Sequence, residues 1–569
     1  MSEITTLLEL LEYRARQQPH DRAYVFLSDR GEETGSLTFS ELDRRARALA
    51  QKVADHARAG DRALLLFLPG LDFIIAFFAC MAAGAIPVPM MVPRRTGSRD
   101  ESANIVGDCS PRVALTNHEL LSSPRGKAVQ ALSKSLTLLT NDDCGHAASE
   151  PRNFLHAKPS DIAFLQYTSG STSSPKGVMV SHHNLIANLK MMADALITSR
   201  KSTFVSWLPL YHDMGLIFAA LNALYAGAMC VLMAPVAFIQ RPMTWLNAIH
   251  AYRAEVAGAP NFGFDLCVDR LNREQTKGLD LSSWRIAFNA AEPVRNDTIE
   301  RFASAFAPFG FDARAMYPCY GMAEAALTIS GRQGGGGPVR RSVSRRALQQ
   351  SRIETPAATD DCSVLIGCGT RFPGEEIAVV DPECRIRLGA NCIGEVWASG
   401  PNICQGYWQN VGATAASFQA LIEGEDQRHW LRTGDLGFTD ERGELFITGR
   451  LKDLIIVRGM NHYPQDIETT VQDAHPALRR NGGAAFAIED ERGREAVAVV
   501  HEIERTYRHR IDVVDIIGRI RDAVFDRHEL ALDDVALTAP GALPRTTSGK
   551  TQRSLTRQLW LRGELDRLS

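Results

Sequence analysis

Along the first 155 or so positions, short apolar blocks alternate with helical repeats. Residues 23–27 (AYVFL), 62–67 (RALLLF) and 113–116 (VALT) have the length and apolar content of buried strands. Residues 40–57 (SELDRRARALAQKVADHA) place leucine, alanine and valine at helical spacings, and residues 73–83 form an apolar helix running into a strand near residue 88. Strands alternating with helices predict a mostly parallel sheet covered on both faces. A second series follows at residues 203–208, 215–232, 256–259 and 285–289, which predicts a second doubly wound unit. Residues 331–361 break the rhythm with GRQGGGGP and the arginines 340, 341, 345 and 346, and read as a mobile insertion. From residue 363 to 397 short alternating strands turn at Pro373-Gly374 and Asp381-Pro382, as in a small β-barrel or a distorted sheet. Residues 484–488 and 496–501 read as strands and 513–525 as a helix, the makings of a small separate C-terminal α+β domain. The expected architecture is α/β: a large N-terminal domain, residues 1–450, of two doubly wound subdomains plus a β-barrel subdomain, and a small domain over residues 451–569.

The stretch the rest is built around is residues 167–180 (YTSGSTSSPKGVMV). Gly, Ser and Thr can curl backbone N–H groups and hydroxyls around an anion, and Lys176 adds a compact positive charge. Residues 161–166 (DIAFLQ) before it read as a buried strand, and Ser181 opens a helical pattern through Leu185, Leu189 and Met192, so the loop is expected to join strand to helix. It is not a Walker A loop, because Lys176 is followed by Gly177 rather than by a hydroxyl.

With 569 residues the chain is too long for one hydrophobic core. Hydrophobic residues at 45% and charged residues at 23% are ordinary for a globular protein, and 63 basic against 66 acidic residues leave a formal charge of −3 that hints at no nucleic-acid groove. The N-terminal leucines are interleaved with acids and bases, which predicts an amphipathic helix rather than a signal peptide. Residues 73–88 are too few to span a bilayer. The 11 cysteines form no C-x-x-C pair, and a reducing cytoplasm suits them best.

Further polar motifs follow strand-like runs. In LPLYHDMGL (residues 208–216) His212 and Asp213 could line a cleft, though a core or surface pair is equally consistent. NAAEP (289–293) and YPCYGMAE (317–324) offer Tyr320 to stack on a base and Glu324 to hold magnesium; each could equally be a tight loop with a capping acid. RTGDLG (432–437) presents Asp435 to a ribose diol or simply to its own turn. LPRTTSGK (543–550) ends on Lys550, which alone would read as surface.

In this order the motifs YTSGSTSSPKG, YGMAE, RTGDLG, GRLKD and PRTTSGK resemble the adenylate-forming superfamily of acyl-CoA synthetases, peptide-synthetase adenylation domains and luciferases, over nearly the whole chain. LPLYHDMGLI, APNFGFDLC (259–267), GRLKDLIIVRGMNHYPQDIE (449–468) and the segment after Ser330 make it most similar to the fatty acyl-AMP ligases. That resemblance implies ATP and Mg²⁺ as cofactors and a two-step reaction. A medium- or long-chain fatty acid and ATP give acyl-adenylate and pyrophosphate, then the acyl group passes to the phosphopantetheine of a separate acyl carrier protein or synthase carrier domain, as in polyketide or lipopeptide biosynthesis. It implies that Lys550 bridges carboxylate and α-phosphate and that Thr168, Ser169, Gly170, Ser171, Thr172 and Lys176 hold pyrophosphate. Glu324 would position the metal. Asn289, Ala290, Ala291, Tyr320, Gly321, Met322, Asp435, Ile447 and Arg450 would surround AMP; His212 would stand at the acyl entrance, and Trp207, Met214, Phe218 and Phe262 would line the acyl pocket. Lys452 matches the hinge about which the small domain turns.

Two departures from the family pattern are Ala290, where glycine is common, and Phe218, a ring where glycine often follows. A fatty acyl-CoA ligase is the second reading, set apart by the insertion, which in acyl-AMP ligases hinders the rearrangement CoA transfer needs; the insertion could also be an ordinary surface loop. A catalytically inactive acyl-AMP-binding protein is the third.

Overall fold

The structure, a computed structural model, describes residues 4–93, 101–132, 135–142, 156–168, 175–272, 276–425, 427–489, 495–507, 511–545 and 551–568. Four parallel strands form the first sheet in the order Ile86–Pro89, Arg62–Leu65, Val113–Thr116, Thr137–Thr140. The second sheet has seven strands: Met316–Pro318, Ile286–Asn289, Val256–Ala259, Thr203–Ser206, Met229–Met233, Arg22–Leu27 and Glu33–Thr38, parallel except for the last. Both doubly wound units are therefore present.

One strand changes unit. Residues 22–27, expected with the first series, pair in parallel with 229–233, Tyr24 opposite Cys230. Periodicity identifies a strand but not its partner; that is decided by which apolar faces meet. The preceding helix Leu7–Gln17 commits to the second unit through Arg14, whose guanidinium donates to the Leu224 and Tyr225 carbonyls, and through the Leu7 N–H on His182 Nδ1 at 3.3 Å.

Local signals place the helices well. Phe39–Ala54 begins at a reciprocal cap, Glu41 N–H to Thr38 Oγ1 at 3.2 Å and Thr38 N–H to Glu41 Oε2 at 2.9 Å, and buries Leu42, Ala46, Leu49 and Val53 on one face. Leu71–Ala82 is buried throughout from Phe73 onward. The apolar run 215–232 divides into a π-helix Met214–Leu221, a helical turn Asn222–Ala226 and the strand Met229–Met233, broken at Gly227 with φ +72°.

The expectation that the serine-threonine loop joins a strand to a helix is corrected. Ile162–Thr168 and Lys176–Ser181 pair antiparallel as a hairpin, and the helix His182–Leu196 starts only after it, capped by Ser181. The strand 176–181 was hidden because its first residues, Lys and Gly, read as loop. Gly177 is needed there: a Cβ would lie 2.8 Å from the Tyr167 ring opposite.

Beyond the two sheets, Glu376–Val380, Gly394–Ser399, Leu431–Thr439 and Leu445–Arg450 form an antiparallel sheet with two smaller sheets against it. The segment 331–361, expected as mobile, instead contains the strand Arg340–Ser344 and the helix Arg345–Gln349 and is docked on the C-terminal unit. Val343 and Leu348 bury against Tyr463, Arg346 pairs with Glu529 at 3.1 Å, and Asn461 Nδ2 donates to Ser351 Oγ at 2.9 Å. Its apolar contacts are few but face one way, which its glycine-rich start conceals. The C-terminal unit has its own sheet, Leu478–Glu489, Glu495–Ile503 and Asp534–Thr538, and its own core around Ile467, Val471, Val499, Ile516, Ile520 and Leu537.

A buried carboxyl ties the Phe372–Glu375 turn to residue 402. Glu375 accepts from Asn402 Nδ2, which also reaches the Thr328 carbonyl at 3.1 Å, and burial pushes the Glu375 carboxyl from 4.5 up to about 8. Because the folded state holds this proton after the unfolded chain has released it, the group's contribution to stability falls as pH rises between those two values. Glu375→Gln is therefore expected to match the parent in denaturant unfolding at pH 5 and exceed it by on the order of 2–4 kcal/mol at pH 8. A difference that does not change with pH would show that Glu375 is not protonated in the folded state.

Candidate functional site

A cavity of about 1480 Å³ opens where the carboxyl ends of the seven-stranded sheet, the 162–181 hairpin, the antiparallel sheet and the C-terminal unit converge. Most of the expected residues line it: Thr168 and Lys176 from the ends of the hairpin, His212, Met214, Phe218 and Phe262 on one side, and Ala290, Ala291, Tyr320, Gly321, Met322 and Glu324 on another. Asp435, Ile447, Arg450 and Lys452 close it from the antiparallel sheet and the turn that follows. Ser169, Gly170, Ser171, Thr172 and Lys550 lie outside the described residues. Arg545 and Thr551, which flank residues 546–550, are bridged to each other, and both line the cavity.

Asn289 and Trp207 stand one layer back. Asn289 is fully buried and donates from Nδ2 to Asn261 Oδ1 at 3.1 Å. Asn261 in turn donates to the Pro293 carbonyl at 2.9 Å and accepts the Arg295 N–H at 3.2 Å, so it clamps both ends of the 289–295 loop. The loop's positive φ falls on Ala291, at +77°, and not on Ala290. The extra methyl of Ala290 therefore adds no backbone strain. Trp207 stacks on Phe238 at 4.0 Å between ring centroids and meets Phe262 edge-on at 5.7 Å, supporting the cavity wall from behind.

Glu324 sits in a short 3₁₀ turn followed by Ala326 at φ +58°, ψ −52°, where the Leu327 N–H reaches back to the Ala325 carbonyl at 2.6 Å in a strained γ-turn. Its carboxylate accepts from the Tyr407 hydroxyl at 2.8 Å. Burial raises the Glu324 carboxyl above its ordinary value, and the nearby Asp213 charge adds to that, against the Tyr407 hydrogen bond and the Arg450 guanidinium. A buried carboxyl under that pressure is a place where a cation is welcome.

Asp435 stands at the centre of a polar cluster: Oδ2 accepts from the Tyr320 hydroxyl at 2.7 Å and Oδ1 from Arg450 Nε at 2.9 Å. The antiparallel pairing of Asp435 with Arg450 across adjacent strands makes that contact, and it could not be read from their separation in sequence. Lys176 Nζ lies over the Tyr407 ring, 4.6 Å from its centroid. Burial, with the Arg450 and Lys176 cations beyond it, holds the Lys452 ammonium below its usual value. Lys176 thus presents its charge to the cavity from the end of the hairpin, as binding of a polyanion requires.

Tyr407 and Asn261 escaped the sequence reading. Tyr407 touches both Glu324 and Lys176, yet only a Gly-Tyr-Trp cluster in a polar turn marks it; Asn261 is signalled only as a buried amide at the start of a helix, next to Pro260.

Residues 11–408 match the family model of AMP-binding enzymes. The chain belongs to that family. A second model, for the AMP domain of Disco-interacting protein 2-like proteins, matches residues 452–569 of this AMP-binding enzyme. Among curated relatives, the medium-chain-fatty-acid–[acyl-carrier-protein] ligase JamA of Moorena producens is 40% identical, over 99% of this chain and 96% of that one. A structure from studies of the fatty acyl-adenylate ligases of E. coli and L. pneumophila is 30% identical with a TM-score of 0.88, covering 99% of both chains. The L. pneumophila fatty acyl-adenylate ligase in complex with acyl adenylate and pyrophosphate is 36% identical with a TM-score of 0.76, covering 98% of this chain and 97% of that one. The resemblance of this AMP-binding enzyme to fatty acyl-AMP ligases thus holds from end to end.

Proposed function

We infer that this AMP-binding enzyme is a fatty acyl-AMP ligase. It uses ATP to convert a fatty acid to acyl-adenylate and pyrophosphate, then transfers the acyl group to the phosphopantetheine thiol of a carrier protein. The observation that carries this reading is that one cavity joins the Thr168 and Lys176 ends of the serine-threonine hairpin, the Tyr320–Asp435–Arg450 cluster and an apolar arm bearing Met214, Phe218 and Phe262. The relative that acts on medium-chain fatty acids and an acyl carrier protein supports the choice of acid and acceptor.

The barrier to adenylation is the approach of a carboxylate to an α-phosphate, both anionic, which must be aligned and neutralised together. Lys176 and the hairpin hydroxyls hold the departing pyrophosphate. Asp435 takes the ribose hydroxyls, Tyr320 and the 289–291 loop flank the base, and Lys550 bridges the two reacting anions. His212, 2.5 Å from Asp213 Oδ1, stands where the carboxylate enters. Glu324, with Asp213 near, fits Mg²⁺, which takes one or two protein carboxylates and completes its shell with phosphate and water. Bound there, the ion would neutralise phosphate charge; among the described residues no three His, Cys, Asp or Glu cluster for a metal held by protein alone.

The unit from residue 451 onward acts as a lid turning at Lys452, in the short 3₁₀ turn Leu451–Asp453. Its present seating is held by Arg480 on Asp297 at 2.9 Å, by Asn481 Nδ2 on Asp265 Oδ2 at 3.2 Å and by the insertion's Arg346 on Glu529. Lys452→Pro is expected to leave pyrophosphate release within about threefold of the parent while slowing transfer to the carrier at least about tenfold. Equal loss of both half-reactions would remove the hinge from the mechanism.

No helix among the described residues is long and apolar enough to cross a membrane; we place the enzyme in the cytoplasm with its carrier. The decisive experiment supplies ATP and a fatty acid series, then either CoA or a phosphopantetheinylated carrier. Acyl transfer to the carrier and not to CoA is expected, because residues 331–361 are seated against the lid. Transfer to CoA alone would make the enzyme an acyl-CoA ligase, and absence of pyrophosphate with every acid would leave it a binding protein.

A further inference from the structure

We propose that Phe218, packed against Phe288, caps the acyl arm of the cavity and restricts the enzyme to short and medium-length acids. This rests on the acyl-AMP ligase reading and deepens it by naming the substrate class.

Of the π-helix Met214–Leu221, two residues line the cavity, Met214 and Phe218, four apart and on one face; nothing farther along that helix does. From the neighbouring strand Phe288 reaches the same point, with its ring centroid 3.8 Å from that of Phe218 and the planes tilted by 41°. Both rings are almost fully buried, at 3% and 2% exposure, although they line the cavity. Rings so buried belong to the wall of the cavity and not to its mouth.

Neither ring can withdraw easily. Phe288 lies against Gly258, where a Cβ would come within 2.4 Å of its Cγ, so it is seated on bare backbone with no space behind. Phe218 is held in a run where every residue from Met214 to Leu221 is buried. The side wall is equally fixed: Phe262 meets Trp207, Trp207 stacks on Phe238, and Phe238 meets Trp245 at 5.6 Å and 90°. A longer chain therefore cannot bypass the cap sideways. It must displace a ring from a close-packed core, and overpacking of that kind is disfavoured strongly enough to discriminate between substrates.

The test measures kcat/KM for pyrophosphate release with hexanoate, octanoate, decanoate, dodecanoate and palmitate, for the parent, Phe218→Ala and Phe218→Leu; the leucine variant retains helix-forming character and apolar volume should the alanine variant unfold. The parent is expected to use octanoate or decanoate at least about tenfold better than palmitate. Phe218→Ala should raise the palmitate-to-octanoate ratio by about tenfold or more, with Phe218→Leu between the two. Efficient use of palmitate by the parent, or a ratio unmoved in folded variants, would overturn the cap while leaving the ligase reading intact. Absence of pyrophosphate release from every acid would overturn both.

Discussion

Lys550→Ala is expected to lower the rate of acyl-adenylate formation by roughly two to three orders of magnitude, the usual effect of removing one donor from a site that stabilises developing charge. The carboxylate and the α-phosphate repel each other until a cation joins them, and among the expected tools Lys550 is the one assigned to both. Lys176 and Arg450 are assigned to pyrophosphate and ribose instead, so neither is expected to take over. Thermal unfolding should be unchanged, and nucleotide binding by calorimetry should weaken by less than about tenfold, since the loss falls on the transition state. The second half-reaction, transfer from chemically made acyl-adenylate to a carrier, should persist. A variant that adenylates at the parent's rate would remove the lid's lysine from the chemistry and with it the need for the lid to close.

Asp435→Ala should damage binding and folding together. Its carboxylate is 7% exposed and accepts from Tyr320 and Arg450. Removing it leaves a guanidinium and a phenol without their acceptor. Because the Arg450 side chain is 46% exposed and can turn to water, the loss of stability should be about 2 kcal/mol, below that of a fully buried pair. ATP affinity, read by the KM for pyrophosphate release, should fall by about tenfold to a hundredfold. Asp435→Asn preserves the volume and should recover most of the stability but little of the affinity, because an amide presents one acceptor where the carboxylate presents two. If Asn recovered both, Asp435 would be a structural residue of the sheet and no ligand group.

The two variants probe different kinds of legibility. Asp435 was visible as an acid in a Gly-flanked turn, and its role as a candidate came from motif order. What it touches was not visible, because Arg450 reaches it across a strand pairing and Tyr320 from a different sheet, contacts set by neither spacing nor periodicity. Tyr407 illustrates the same limit more sharply. It holds Glu324 and stacks under Lys176, and nothing around it in sequence distinguishes it from an ordinary core aromatic. Asn289 and Trp207 show the converse: chosen from motif position, they lie one layer behind the residues that line the cavity.

Local chemistry decided the elements. Caps such as Thr38 with Glu41, the alternation of apolar blocks with helical repeats, and the polar motifs at strand ends are all short-range, so the chain alone determined two doubly wound units, a smaller region of short strands, a separate C-terminal unit and the family to which they belong. Only the tertiary structure decided that the strand 22–27 joins the second sheet, that residues 176–181 close a hairpin, that the arginine-bearing segment after residue 331 is docked on the lid, and that Phe218 meets Phe288. Each of those depends on two surfaces that are far apart in sequence and are brought together by burial of apolar area, a force without direction, whose pairing is selected by shape once the whole chain has collapsed.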